Sequence, residues 1–167
     1  MKPTFPSLSV ILLHALLMST HIASAADSGK APAITIEADR MELNQRQGSS
    51  HYQGNVQLIQ GRLQIKADSI TLHSVDKQLQ RAVAKGSPVT LSAAKGDGQP
   101  ALRAEAAQME YLPSSETIIL QGNAHLWRNG NEFSGEQIRY ELKRQLVKAT
   151  GDKDGDGRVR VLLQPAS

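Results

Sequence analysis

The stretch Gly54-Asn55-Val56-Gln57-Leu58 returns 68 residues later as Gly122-Asn123-Ala124-His125-Leu126. The same offset carries Ala38-Asp39-Arg40-Met41-Glu42-Leu43 onto Ala106-Ala107-Gln108-Met109-Glu110-Tyr111. A small-acidic-x-apolar-x-apolar pattern also recurs at that interval, from Ala67-Asp68-Ser69-Ile70-Thr71-Leu72 to Gly135-Glu136-Gln137-Ile138-Arg139-Tyr140. A fixed period in the tens of residues restricts a chain to a layered or solenoid array, in which each unit buries its apolar face only against its neighbours.

Within each repeat the apolar residues fall at alternate positions: Ile34 and Ile36, Met41 and Leu43, Val56 and Leu58, Leu63 and Ile65, Ile70 and Leu72. Met109 and Tyr111, Ile118 and Leu120, Ala124 and Leu126, and Ile138 and Tyr140 continue the pattern. That is the period of a strand with one buried face. Parity switches between Ile36 and Met41, at Ala38-Asp39, where a small residue allows a bulge that turns the strand onto a second sheet. Turns are marked by Gln47-Gly48-Ser49, Gln60-Gly61, Lys85-Gly86-Ser87-Pro88, Lys95-Gly96-Asp97-Gly98, Pro113-Ser114-Ser115 and Arg128-Asn129-Gly130-Asn131. Gly54 and Gly122 precede alternating runs, which suits a backbone with positive φ or a tight bulge. The expectation is an all-β chain of about sixteen short antiparallel strands with essentially no helix.

Lys2, the apolar run Leu8 to Met18 and the small-residue site Ala23-Ser24-Ala25 read as a secretory signal peptide over residues 1–26, leaving one domain over 27–167. The apolar run is shorter than the roughly 20 residues a membrane span needs. Without Lys2, 18 basic residues face 16 acidic ones, a balance that leaves no general footprint for nucleic acid. Cysteine is absent, so hydrogen-bond ladders and core packing carry the fold without disulfides. Aromatic residues make up only 4%, so the core is aliphatic.

Catalytic signatures are missing. His51, His73 and His125 lie far apart without metal-ligand spacing, and there is no G-x-S-x-G, P-loop or dinucleotide fingerprint. Neither a cofactor nor a metal is expected. Asp39, Asp68 and Glu136, with Glu37 and Glu105 nearby, offer carboxylates for acid–base work on a glycan, but an acid that recurs once per repeat reads as a solvated or turn-capping group. Asp152-Lys153-Asp154-Gly155-Asp156-Gly157 begins like a calcium loop, yet Leu163 stands where the closing Glu belongs, and the alternating residues that follow suit a hairpin.

Taken together, the signal peptide, Ile34-Thr35-Ile36-Glu37-Ala38-Asp39 and the two Gly-Asn motifs resemble the periplasmic lipopolysaccharide-transport protein A family, LptA, of the OstA-like group. Ala106 to Tyr111 and Gly135 to Tyr140 extend the likeness over almost the whole mature chain. The resemblance implies an open, slightly twisted β-jelly-roll with an apolar interior. It also implies a periplasmic, non-enzymatic carrier that moves lipopolysaccharide from an inner-membrane complex containing LptC to the outer-membrane LptD-LptE translocon. On this reading Ile34, Ile36, Leu91, Met109 and Tyr111 face the lipid. A glycan-active β-solenoid enzyme and a calcium-stabilised structural module are the competing readings.

An open stack of strands leaves unpaired backbone groups at both ends. Ile34 and Ile36 at one edge, and Val159, Val161 and Leu163 at the other, alternate without proline. Because the two edges differ, pairing them is heterologous and propagates head to tail, or joins LptC-like and LptD-like jelly-rolls at either membrane.

Overall fold

Each strand runs antiparallel to its neighbours in a single ten-stranded sheet of a computed structural model, which describes residues 32–96, 98, 100–152 and 157–165. The strands are β1 (Ile34–Glu37), β2 (Arg40–Asn44), β3 (Ser49–Gln60), β4 (Leu63–Val75), β5 (Gln78–Ala93), β6 (Leu102–Leu112), β7 (Thr117–Arg128), β8 (Asn131–Glu141), β9 (Leu146–Thr150) and β10 (Arg160–Leu162). A 3-10 turn at Pro113–Ser115 links β6 to β7. The order is β1-β3-β4-β5-β6-β7-β8-β10, with β2 also on β3 and β9 also on β8. Nearly every connection is thus a hairpin between sequence neighbours. The two ends of the order do not pair with each other, so the sheet is open. The signal-peptide expectation, residues 1–26, lies outside the described residues.

The count of about sixteen strands is corrected to ten among the described residues, and the corner motifs explain why. Between β3 and β4 the register shifts between Gln53 and Val56, across Gly54-Asn55. Matching shifts follow on β4 between Lys66 and Ser69, on β5 between Lys85 and Val89, on β6 between Glu105 and Gln108, and on β7 between Gln121 and Ala124. These irregularities line up from strand to strand. They form one corner line along which the sheet changes its pairing register and side-chain parity. Two alternating runs separated by such a bulge are halves of one strand, and counting each run separately overstates the number.

Corner chemistry is legible in the backbone. Gly54 and Gly122 have φ of 82° and 79°, and Asn55 and Asn123 have φ of 46° and 47°. Two successive left-handed residues are what glycine followed by asparagine tolerates best, so the Gly-Asn repeat is a backbone requirement. Asp39 N–H donates to Gly54 O at 3.0 Å, and Asn55 Nδ2 donates to Asp39 Oδ2 at 3.0 Å, tying the β1–β2 corner to that of β3.

The corner line divides the sheet into two leaves, and their inward faces meet in one aliphatic cluster. Leu58, Ile65, Leu91 and Leu126 of one leaf join Ile70, Met109, Leu120 and Ile138 of the other, all nearly or fully inaccessible.

Candidate functional site: the cleft between the leaves and its mouth

Register places the inward residues in rows that cross the whole sheet. On the first leaf Ile36, Leu58, Ile65, Leu91, Ala104, Leu126, Phe133 and Val161 are successive partners from β1 to β10. On the second leaf Met41, Tyr52, Ile70, Ala84, Met109, Leu120, Ile138 and Ala149 form the matching row. In both rows the centre is inaccessible and the ends are open. Met41 is 58% exposed and Val161 47%, although each shares its row's inward parity. An end strand lacks a neighbour on one side, so its inward side chains have only half a wall around them.

The five residues expected to face lipid occupy three environments. Ile34 and Ile36 lie half-buried on the edge strand β1. Leu91 and Met109, each 1% exposed, are packed in the centre of the aliphatic cluster between the leaves. Tyr111 sits half-buried on the second leaf, in the row farthest from the corner line with Ile118 and Tyr140. Burial, assisted by the nearby Glu116 carboxylate, raises its phenol above the ordinary 10.0. At the other edge Val159, Val161, Leu162 and Leu163 are all exposed, on or beside β10.

Sequence reasoning left the mouth of the cleft unremarked. Arg128 follows Ala124 and Leu126 at the same parity, so a cation stands where an inward apolar residue belongs; that was the available signal. Its guanidinium lies 5.5 Å from the Tyr140 ring on the opposite leaf, and Nη2 donates to Gln145 Oε1 at 2.7 Å. Its Nε is buried without a hydrogen-bond partner among the described residues. Arg62 Nη1, from the β3–β4 turn, donates to Ala94 O at 2.6 Å and Pro100 O at 3.3 Å. Met41 and Leu43, 58% and 54% exposed, were likewise read as strand residues and not as part of a site.

Asp68 and Glu136 do not converge into an acid–base pair. They lie on β4 and β8, four strands apart in the order, about 19 Å at the usual strand spacing. Paired glycosidase carboxylates stand about 5–10 Å apart. Glu105 is engaged by Arg103 at 3.6 Å, and His125 Nδ1 faces Glu132 at 3.1 Å. Among the described residues no group of three or more His, Cys, Asp or Glu is disposed to hold a metal. Residues 153–156 of the acidic stretch lie outside them.

Comparison with known proteins agrees with the fold. Residues 35–146 match the family model described as LptA/(LptD N-terminal domain) LPS transport protein. The chain is 29% identical over 162 residues to the lipopolysaccharide export system protein LptA of Escherichia coli (strain K12), covering 96% of this chain and 86% of that one. It is 27% identical over 155 residues to lipopolysaccharide export system protein LptH of Pseudomonas aeruginosa, covering 89% and 88%. Among solved structures, the crystal structure of LptH, the LptA-homologous periplasmic component of that organism's lipopolysaccharide transport device, superposes with a TM-score of 0.72 at 26% identity. The superposition covers 80% of this chain and 96% of that one.

Proposed function

Since this chain belongs to the LptA/(LptD N-terminal domain) LPS transport protein family, we propose that it is a periplasmic bridge. It carries lipopolysaccharide from the inner to the outer membrane in the cleft between its leaves. The observation that carries the reading is the apolar row from Ile36 to Val161, which crosses the sheet from one free edge to the other without a polar interruption. An acyl chain entering water loses about 0.8 kcal/mol per CH₂, so a lipid with several chains needs such a lining to cross an aqueous compartment. Ile34, Ile36, Leu91, Met109 and Tyr111 are the lipid-facing set. At Ile34 and Ile36 the lining is already accessible, whereas around Leu91 and Met109 the leaves part to admit a chain. Transport of this kind breaks no covalent bond, so the protein acts as a carrier and not an enzyme, without a cofactor of its own. Residues 1–26 direct export to the periplasm, and 27–167 form the exported domain.

A photocrosslinking residue placed at Ile36 or Met109 tests the reading in cells, with Thr35 and Glu110 as outward controls on the same strands. Capture of lipopolysaccharide at the inward pair alone is the expected result. Capture at neither inward position, with the protein folded and present, overturns it.

The same reading makes both free edges docking strands, for an LptC-like protein, an LptD-like translocon or a second copy of this chain. Val159, Val161 and Leu163 on one side and Ile34 and Ile36 on the other supply the backbone groups and apolar contacts for head-to-tail pairing. Deleting Val159 to Ser167 is expected to leave a folded, lipid-binding monomer. Oligomers of undiminished size in light scattering of that truncation would exclude this edge.

A further inference from the structure

The cleft has a charged mouth that an apolar lining does not explain. A cavity of about 190 Å³ opens between the outer ends of the two leaves. Arg62, Leu102 and Arg128 line it from the first leaf, and Glu116, Tyr140 and Lys143 from the second. Three cations thus face one acid. None of the three is ion-paired among the described residues. The hydrogen bonds of Arg62 and Arg128 go to carbonyl and amide oxygens, which satisfy donors without neutralising charge.

We propose that this mouth is an anion-binding subsite that takes the phosphate groups of an acylated glycolipid while its chains lie in the cleft. Deepening the carrier reading, the proposal rests on it. A half-buried guanidinium has lost part of its hydration without gaining a counter-charge, a state that an arriving phosphate relieves by charge-assisted hydrogen bonds. Arg128 has its buried Nε still to give, and its planar fork suits phosphate oxygens. Lys143, exposed on the β8–β9 turn, adds a mobile point charge. Position argues for a head group over a free anion, because Leu102 and Tyr140 continue the same wall into the apolar rows. A ligand that fills both regions is anionic at one end and hydrocarbon at the other. A second cavity of about 400 Å³ shares Leu102 and Arg128 and is edged by Trp127, leaving room for sugar beside the phosphates.

The subsite's position in the repeat is specific to one end of the molecule. Arg128 occupies the place that Gln60 holds 68 residues earlier, and Gln60 Nε2 merely donates to Pro32 O at 3.3 Å. The head group is therefore fixed at the end of the cleft where Arg128 stands, and the remainder of the cleft is left to the chains.

The test compares three probes on the purified full chain: a bisphosphorylated acylated disaccharide, the same glycolipid with both phosphates removed, and inorganic phosphate alone. The expected result is about tenfold tighter binding of the phosphorylated glycolipid than of its dephosphorylated form. That preference is lost in Arg62→Gln/Arg128→Gln and reduced in Lys143→Gln, while dephosphorylated binding is unchanged in Lys143→Gln. Arg128→Lys keeps part of the preference. Lys143→Gln sits on an exposed turn and keeps the fold, so it decides the matter if the double variant does not fold. Equal binding of both glycolipids by the unaltered protein overturns the subsite and leaves the carrier standing. Binding of neither overturns the carrier and the subsite with it. Inorganic phosphate bound as tightly as the phosphorylated glycolipid overturns the head group as the source of the anion.

Discussion

Met41 and Met109 are the same residue at the same position of the repeat, yet one is 58% exposed and the other 1%. Each faces inward on the second leaf, as their shared row requires. Met109 has β5 on one side and β7 on the other, whereas Met41 on β2 has only β3. What the repeat encodes is a strand, its corner and its parity. Whether an inward residue becomes core or open edge is decided by how many strands lie beyond it.

The largest expected effect tests that difference directly. Truncating Met109 to Ala removes a fully enclosed side chain and is expected to cost about 2–4 kcal/mol in urea denaturation, in the range for buried large-to-small changes. Met41→Ala at low protein concentration is expected to change stability by less than about 0.5 kcal/mol, as for an exposed site. A Met41→Ala cost that grows with protein concentration would show the edge covered by a second copy, and equal costs at all concentrations would break the comparison.

Much of this architecture was legible in the chain. Alternation gave the strands and their faces, and the recurring Ala-Asp and Gly-Asn pairs marked the corner line; at Gly-Asn the reason is left-handed backbone, which those two residue types tolerate best. Strand number was not legible, since a bulge interrupts side-chain parity without ending the strand. The open ends were illegible for the reason Met41 and Met109 illustrate: identical motifs carry no record of their neighbours. The mouth of the cleft draws Arg62, Arg128 and Lys143 from three separate turns or strand ends that only the fold brings together. Arg128, at inward parity after two core residues, was the one member with a readable sign.

A second comparison separates the two Gly-Asn corners. At Gly122 an added Cβ meets Ala107 Cβ at 2.9 Å, and at Gly54 it meets the Asp39 carboxylate. Both positions have positive φ, so alanine at either costs about 1–2 kcal/mol from the backbone alone. Gly54→Ala is expected to cost more than Gly122→Ala, because it also displaces the Asp39 hydrogen bond to Asn55. Equal losses in denaturation would mean that the carboxylate swings away freely.

Asp39→Ala places at the first corner the residue that Ala107 supplies at the second. It removes one exposed side-chain hydrogen bond and is expected to cost about 0.5–1 kcal/mol. It should also bring the Gly54→Ala penalty down to that of Gly122→Ala, a coupling that a double-mutant cycle measures. Additive losses would show that the two corners differ for some reason other than this carboxylate.

The smallest effect concerns Leu43 and Tyr111, again equivalent in the repeat, of which the first is 54% exposed and the second half-buried. Burial, with Glu116 nearby, holds the Tyr111 phenol protonated above its ordinary value of 10.0. In the unfolded chain the phenol ionises at that ordinary value, while in the folded chain it keeps its proton to higher pH. Stability from this group is therefore intact below pH 10 and falls as pH rises through the window between the two values, because only the unfolded state gains by releasing the proton. Tyr111→Phe removes the titration, so the stability difference between the two proteins should be flat up to about pH 10 and narrow above it in favour of the variant. Leu43→Tyr places a phenol at the equivalent exposed edge, where solvent removes the desolvation that shifts Tyr111, and should add no such slope. A slope in that variant matching the one lost in Tyr111→Phe would mean that the first edge is as well covered as the centre of the sheet, and the contrast between the two repeats would fail.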